Sequence, residues 1–560
     1  MTKTSKPWYK RKRIWGVMIF LLLIYFCLVP SRLKISPETT GITGPLTKDG
    51  RVDYFAAFEK LYIDKLNPPE ENGLRYMIAA CGPTILERMA MVDEVPWEQM
   101  PTHQYSKNWF ENYWLPLCAH LYIDPYQRPM FYDSRQFHSY FDNLKKEQKK
   151  AAEAAGENFI DDDPKGEKLS ELHKTLTTAP WKHEDHPEVV PWLQQRSPLL
   201  DYYGVCVRMP NYACWRQTGD KSGCLFAVLL PDVQAQRGFA RDLCIRVAER
   251  VERGDIDGAW YDVMSMKHVA RHYGNDTFLV TNLVGHAIEG MANASANLIL
   301  KYGNPTEEQL DRFARDLDNL QRVVPFSLSM TAESYMVYQF LDCLGQKAGR
   351  IYLIDVMSRP GLDSKQRIHS FYILSRLPFD ANIAGKRLSK LFGEYGLKDG
   401  GAFKRCANPA LRHKYVEEMD RVRKQLEEKL QGSQWYRIPL IHTRSQLLAE
   451  YIFVHMTPAF NMASANFDRT EAQNELLRIA IALERYKLAH GDYPKKLDQL
   501  VPECLFEIPL DPCTTLATFT YKLNPEEGCP YLIYSYGRNG KDDGGVEDPR
   551  NIDGDIVFKR

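Results

Sequence analysis

The sequence has no excess of charge of either sign. Its 560 residues include 72 basic and 72 acidic side chains, so the net charge is zero, whereas a general nucleic-acid-binding protein carries a basic excess. A mean hydropathy of −0.42 excludes a polytopic membrane protein, and 44% apolar with 12% aromatic residues excludes a mostly disordered chain. We therefore expect a large folded protein that binds no nucleic acid.

Several catalytic and metal-binding motifs are missing as well. The sequence contains no G-x-x-x-x-G-K-[ST] loop, no G-x-G-x-x-G between a strand and a helix, and no G-x-S-x-G elbow. None of its twelve cysteines shows C-x-x-C spacing, which leaves a zinc ribbon unsupported. An oxidising compartment would allow some of the cysteines to pair. Missing motifs do not exclude an enzyme, because catalytic groups need only converge in space.

Long apolar runs are scarce, with one exception at the amino terminus. Residues 1–13 carry six basic and no acidic side chains, and the sixteen residues Ile14–Val29 carry no charge. As a helix these sixteen residues span about 24 Å, and flanking residues with local thinning bridge the rest of a ~30 Å hydrocarbon core. The pattern predicts a transmembrane anchor at 14–30 with the amino terminus inside.

This prediction places the protein in the cytoplasmic (inner) membrane as a single-pass protein with its main body outside. A cleaved signal peptide is the alternative, and it stays open. Leu28, Val29 and Pro30 are poor residues for the cleavage positions, since small residues are typical there. The anchor is therefore the favoured interpretation.

Beyond a polar linker, the spacing of apolar residues is helical. Phe239, Leu243, Val247 and Val251 recur every four residues, and Gly254 with Asp255 supplies a stop and the next N-cap. Short glycine and aspartate links between such helices favour antiparallel neighbours, although no period of about 34 residues supports a repeat array. Further helices are predicted at 278–299, 307–323, 330–346, 384–395 and 413–431.

The last hundred residues change character. A helix is predicted at Glu471–His490 and ends at Gly491, and strand-like alternation follows at 518–523, 531–536 and 556–558. The fold class predicted for the chain is thus mainly α, with a transmembrane helix, a helical-hairpin body and a small α+β module with a short antiparallel sheet. The predicted divisions are a basic cytoplasmic tail at 1–13, the anchor at 14–30, a linker at 31–51, the helical body at 52–440, and a long helix plus the α+β module at 441–560.

A family resemblance rests on motifs within this module. The run from Ala482 to Pro494, the Pro-Leu-Asp-Pro at 509–512 and the Tyr-Ser-Tyr-Gly-Arg-Asn-Gly at 534–540 resemble the soluble domain of type II secretion major pseudopilins. The resemblance covers about ninety residues. The whole chain also resembles a family of single-pass bacterial envelope proteins from which no activity carries over. Assembly into a pilus is not expected, because the apolar segment lacks an acidic residue and lies far before Glu471.

The pseudopilin resemblance implies a calcium site before the last strand. The family pattern falls on the Tyr536 carbonyl, on Asn539, where relatives usually carry aspartate, and on Asp555. Six carboxylates between Gly537 and Ile556 also repel one another unless they are solvated or neutralised by a hard cation. An acidic, mobile surface loop is the alternative, and the choice among the intervening aspartates, including Asp553, stays open. The predicted calcium ligands are Tyr536, Asn539, Asp543, Asp548 and Asp555.

A second metal hypothesis rests on histidines. His268 and His272 lie four residues apart on a predicted helix, and His286 with Glu289 forms a similar pair one helix later. Zinc would use three of these side chains. The sequence lacks the general-base glutamate of H-E-x-x-H, and ordinary hydrogen bonding is the alternative for such histidines. We assign no catalytic residue.

These observations lead to three functional hypotheses. The first is a structural or protein-interaction role, with an envelope protein as the partner and the membrane contacted through the amino-terminal helix. The second is a metal-dependent envelope hydrolase. The third is an accessory component of a secretion or pilus-like system. Neither a substrate nor a partner can be read from the residues.

Overall fold

The computed structural model describes most of the chain in separate stretches. The described residues are 33–85, 114–131, 134–155, 166–216, 224–225, 228, 230–321, 327–346, 379–394, 409–432, 440–456, 460–514, 518–546 and 553–560. Within them the chain is mainly helical and carries one three-stranded antiparallel sheet.

The helices follow one another along the chain as α1 to α15. The first eight are α1 Tyr54–Glu59, α2 Gly73–Cys81, α3 Leu115–Leu121, α4 Phe137–Ala155, α5 Glu167–Thr178, α6 Val190–Cys206, α7 Pro231–Glu252 and α8 Ile256–Gly274. The others are α9 Leu279–Tyr302, α10 Glu307–Asp318, α11 Ser327–Gly345, α12 Ala381–Glu394, α13 Pro409–Gly432, α14 Ile441–Met456 and α15 Phe460–His490. The strands are β1 Thr520–Glu526, β2 Cys529–Ser535 and β3 Ile556–Lys559.

Helices α7, α8 and α9 pack against one another and are joined by short links at 253–255 and 275–278. The predicted stripe of α7 is buried, and Gly254 adopts a left-handed φ of 74° that ends the helix. The Asp255 side chain accepts a hydrogen bond from the Gly258 amide at 3.0 Å, which confirms the predicted N-cap. Helices α8 and α9 approach so closely that a Cβ on Gly285 would lie 2.5 Å from the Gly274 amide nitrogen.

Helix α10 packs against α8. Thr306 caps its amino terminus through a reciprocal pair of hydrogen bonds with Gln309. The Trp260 ring stacks on Phe313 with centroids 4.0 Å apart, and its Nε1 donates to Asp316 at 2.8 Å. These contacts fix α10 on one side of the body, facing α15.

Helix α15 joins the sheet to the body, because it contacts α9 and α10 as well as β2 and β3. The strand order is β1-β2-β3, with Thr520 opposite Tyr534 and Ile533 opposite Phe558. The carboxylate of Glu484 on α15 accepts hydrogen bonds from Tyr493 and Tyr531 at 3.0 and 3.1 Å and pairs with Arg560 at 3.0 Å. A helix followed by a small antiparallel sheet is therefore observed, as predicted.

The predicted fold class is wrong in one component, the transmembrane helix. Residues 14–30 lie outside the described residues, and among the described helices none is both long and apolar enough to cross a bilayer. The physical reason is that polar side chains interrupt the apolar runs of these helices; α9, for example, contains His286, Glu289 and Asn293. The class that the structure supports is mainly helical with a small antiparallel sheet.

Candidate functional site

A cleft of about 860 Å³ lies between the helical body and the carboxy-terminal module. Leu317 and Leu320, at and just beyond the end of α10, contribute to one wall, and α15 from Phe467 to Arg485 forms another. Residues 504–512, which follow α15, form the rim. The volume lies within the range of ligand-binding pockets, about 300–1,000 Å³. Three other cavities among the described residues are smaller, at about 100, 370 and 320 Å³.

The floor of the cleft contains a buried ion pair. Lys267 and Glu289 are each about 1% exposed, and their Nζ and Oε1 atoms lie 2.7 Å apart. Lys267 Nζ also donates to the side-chain oxygens of Asn293 at 2.8 Å and Asn474 at 3.1 Å, so its three donors are all used. Because Asn474 belongs to α15, this network joins the module to α8 and α9 of the body.

Arg271 extends the same network. Its guanidinium donates to Glu289 Oε1 at 3.1 Å. Burial lowers the pKa of Lys267, whereas the charges of Arg271 and Lys267 outweigh burial and hold the pKa of Glu289 below its ordinary value. Glu289 Oε2 and Arg271 Nε are both buried without a hydrogen-bond partner among the described residues. The floor therefore keeps one unused acceptor and one unused donor.

Two arginines of α15 hold the walls at their observed spacing. Arg478 pairs with Asp318 and donates to the carbonyl of Leu317 at 2.9 Å. Arg485 donates to Asp311 at 2.7 Å and to the carbonyl of Cys504 at 3.0 Å. Each arginine thus connects α15 to α10, and Arg485 also holds the rim segment.

The rim exposes large apolar side chains. Phe506 is 91% exposed and Leu510 is 64% exposed, next to Pro509 and Pro512. Below them the apolar wall residues Leu317 and Leu320 are buried. Adjacent exposed apolar side chains at the mouth of a cleft are typical of an interaction site.

A second cavity of about 100 Å³ adjoins the cleft, since Arg271 and Gln321 line both. Its charged groups are paired with one another. Arg216 binds Asp276 at 3.0 Å and also pairs with Asp232, which accepts from the Tyr273 hydroxyl at 2.6 Å. Burial raises the pKa of Tyr273, so its phenol stays protonated. These four side chains form a closed network that stabilises the fold.

The structure does not bring the predicted zinc ligands together. His268 lines a shallow pocket beside Arg208 and Asp257, whereas His272 lines the second cavity and contacts the carbonyl of Val207 at 3.0 Å. His286 packs edge-on against Phe467, with ring centroids 5.3 Å apart. In the described stretches no three His, Cys, Asp or Glu side chains form a group suited to a metal ion.

The predicted calcium loop is partly described. Asp555 is buried, its Oδ2 accepts from the Gly545 amide at 2.8 Å, and its Oδ1 has no hydrogen-bond partner among the described residues. Asn539 donates its side-chain amide to Asp543 at 3.2 Å. Asp548 lies outside the described residues, and Tyr536 directly follows β2.

The carboxylate and carbonyl oxygens of this loop are the ligands that calcium prefers, but the described residues do not form a complete coordination site. Burial raises the pKa of Asp555, and the charges of Asp543 and Asp542 raise it further, so a cation beside the unused Oδ1 would relieve the repulsion. Gly537 permits a close approach to the last strand, because a Cβ there would lie 2.1 Å from the carbonyl oxygen of Gly554. Calcium at this loop stays a prediction.

Sequence reasoning missed the cleft. Lys267 stands between buried Met266 and Val269 on α8, and Asn293 interrupts the apolar face of α9. Polar residues at apolar positions of two helices were a usable signal, because buried polar groups need partners. These residues did not indicate that α15, about two hundred residues later in the chain, contacts α8 and α9 and completes the cleft.

Comparison with known proteins gives no further constraint. No protein-family model, curated protein or solved structure matches the chain. The geometry of the cleft is therefore the basis for proposing a function.

Proposed function

We propose that the protein has an interaction role and that its cleft docks an apolar segment of a partner protein. The observation that carries this proposal is the exposure of Phe506 and Leu510 at the rim of a cleft with buried apolar walls. Lys267, Arg478 and Arg485 are already paired within the chain. Burial of apolar side chains at the rim would supply binding energy without breaking these pairs, which supports an apolar segment as the ligand.

The contribution of the two rim side chains to binding is large enough to measure. Burying a Phe or Leu side chain contributes about 1.5–3 kcal/mol each. Two anchors therefore contribute roughly 3–6 kcal/mol, and each 1.4 kcal/mol changes a dissociation constant tenfold. Such anchors are enough to determine whether a partner binds.

No specific observation favours the hydrolase hypothesis. His268 and His272 open onto different cavities, and the donors of Lys267 are all engaged. An accessory role in a secretion system remains a prediction that the identity of the partner would test.

Site-specific photocrosslinking in the native cells tests the proposal. A photoreactive phenylalanine analogue at position 506 is expected to give discrete adducts, and Leu510→Asp in the same chain is expected to reduce them. Tyr126, which is 62% exposed, is the control position because it does not line the cleft. The proposal fails if position 506 gives no adducts, or if both positions give the same ones.

A further inference from the structure

Residues 224–225 meet one turn of helix α11. The backbone amide of Leu225 donates to the Gln339 side-chain oxygen at 2.7 Å. Gln339 and Cys343 are four residues apart on this helix, so their side chains share one face. Anchoring Leu225 to Gln339 thus places Cys224 beside the next turn, which carries Cys343, and Cys224 is the main cause of the raised pKa of the Cys343 thiol.

The two thiols differ in exposure. Cys224 is buried, whereas Cys343 is half-buried at the protein surface. Neither is joined by a disulfide in the structure. A reagent approaching from solvent therefore meets Cys343 first and finds a second thiol directly behind it.

We propose that Cys224 and Cys343 form a dithiol site that a disulfide donor oxidises to an intramolecular disulfide. The Cys343 thiolate attacks one donor sulfur, forms a mixed disulfide and releases the first donor thiolate. Cys224 then attacks the Cys343 sulfur, which forms the intramolecular bond and releases the second donor thiolate. The protons of the two protein thiols end on the two donor thiols, so the protein is oxidised and the donor disulfide is reduced.

The bond would join the segment before α7 to α11 across about 120 residues of intervening chain. Closing so long a loop restricts the unfolded ensemble, which favours the folded state in the chain-entropy model. The oxidised protein is therefore expected to melt several degrees above the reduced protein.

The environment of the site makes it slow to react. The hydrogen bond with Cys224, and then burial, raise the pKa of Cys343. Little thiolate is present near neutral pH, and thiolate is the attacking species. We expect oxidation over hours rather than seconds, faster as the pH is raised.

Peptide mapping of the full-length protein tests the proposal. The reduced protein is incubated with oxidised glutathione, remaining thiols are alkylated, and the unreduced digest is searched for a peptide that links Cys224 to Cys343. The linked peptide is expected to accumulate, to disappear with dithiothreitol, and to accompany the rise in melting temperature. The proposal is overturned if the folded wild-type protein forms no such peptide or forms a different pair instead.

Variants separate this pair from general cysteine oxidation. Cys343→Ser is expected to abolish both the linked peptide and the stabilisation on oxidation. Cys529→Ser, which removes a buried cysteine from strand β2, is expected to retain both. If Cys343→Ser proves too unstable, mapping of the wild-type protein alone still decides between the outcomes.

Discussion

Lys267 and Glu289 illustrate that a buried charge needs an oppositely charged partner and hydrogen bonds. Both are almost completely removed from solvent, and the lysine uses each of its donors. Removing one partner of a buried ion pair leaves the other charge without full compensation, which is far costlier than losing a surface pair. The stability of the protein is therefore expected to be sensitive to substitutions of either residue.

Lys267→Met is expected to lower the free energy of unfolding by about 3–5 kcal/mol, measured by urea denaturation. The matched control is Lys301→Met, at the exposed end of the adjacent helix α9, which is expected to change it by no more than about 0.5 kcal/mol. The double variant Lys267→Met/Glu289→Gln is expected to recover part of the loss. Equal effects of the two single substitutions would contradict the account.

One buried histidine, His286, and two half-buried ones, His268 and His272, predict how stability depends on pH. Burial lowers the pKa of His268, His272 and His286 to about 4 each. An unfolded histidine takes up its proton near pH 6.5, so the unfolded state binds more protons between about pH 6.5 and 4. The contribution of these residues is complete above pH 6.5 and is lost as the pH falls toward 4.

The measurement is the free energy of unfolding across that pH range. His286→Gln is expected to flatten the decline. A wild-type stability that stays constant from pH 6.5 to 4.5 would contradict the prediction.

Residue-scale patterns were predictable wherever a local rule decided them. The Asp255 cap and the Gly254 stop follow from neighbouring residues alone, and both are confirmed. Lys267 was not predicted as part of a site, because its partners Asn293 and Asn474 are distant in sequence.

At the scale of elements, the crossing of α8 and α9 depends on one glycine. A Cβ on Gly285 would meet the backbone of Gly274 and Ala270 at 2.5–2.9 Å, where no side chain can move aside. At Gly290, on the same helix, the atom nearest to an added Cβ is the side-chain oxygen of Gln473, at 3.7 Å. Replacing each glycine by alanine therefore separates the effect of close helix packing at Gly285 from the effect of helix propensity at Gly290.

Gly285→Ala is expected to destabilise the protein by about 1–3 kcal/mol, because the helices must separate. Gly290→Ala is expected to stabilise it by roughly 0.5–1 kcal/mol, because alanine favours the helix. Urea denaturation of both variants measures the difference. A change of the same sign in both would contradict the observed helix crossing.

The calcium loop before β3 gives a second prediction at this scale. A ligand that binds only the folded state raises the free energy of unfolding by about 2.7 kcal/mol when its concentration is a hundred times its dissociation constant. The full-length protein is therefore expected to melt at a higher temperature with calcium than with chelator, and Asp555→Asn is expected to abolish the difference. Identical melting of the wild type under both conditions would remove calcium from the account.

Element boundaries were less predictable than element types. Helix α15 begins at Phe460 rather than at the predicted Glu471, because Ser464 and Asp468 are buried in its first half and obscure the apolar periodicity. Asp468 lies 3.8 Å from Arg538, which follows the sheet strand β2. A tertiary contact thus explains why a charged residue is buried in the first half of this helix.

At the scale of the molecule, the cleft exists because α15 packs against α9 and α10. Arg478, Arg485 and the Lys267 network determine how far apart the walls lie. The separate elements were predictable from periodicity, but their assembly depends on contacts about 160 to 210 residues apart in sequence. No local rule places Phe506 and Leu510 over a cavity.

The affinity of the partner identified by crosslinking at position 506 tests the central claim most directly. We expect Phe506→Ala/Leu510→Ala to weaken binding about a hundredfold or more, since both apolar anchors are lost. The control Tyr126→Ala/Met130→Ala removes two comparably exposed side chains outside the cleft and is expected to bind as the wild type does. Unchanged affinity in the Phe506→Ala/Leu510→Ala protein would contradict docking in the cleft.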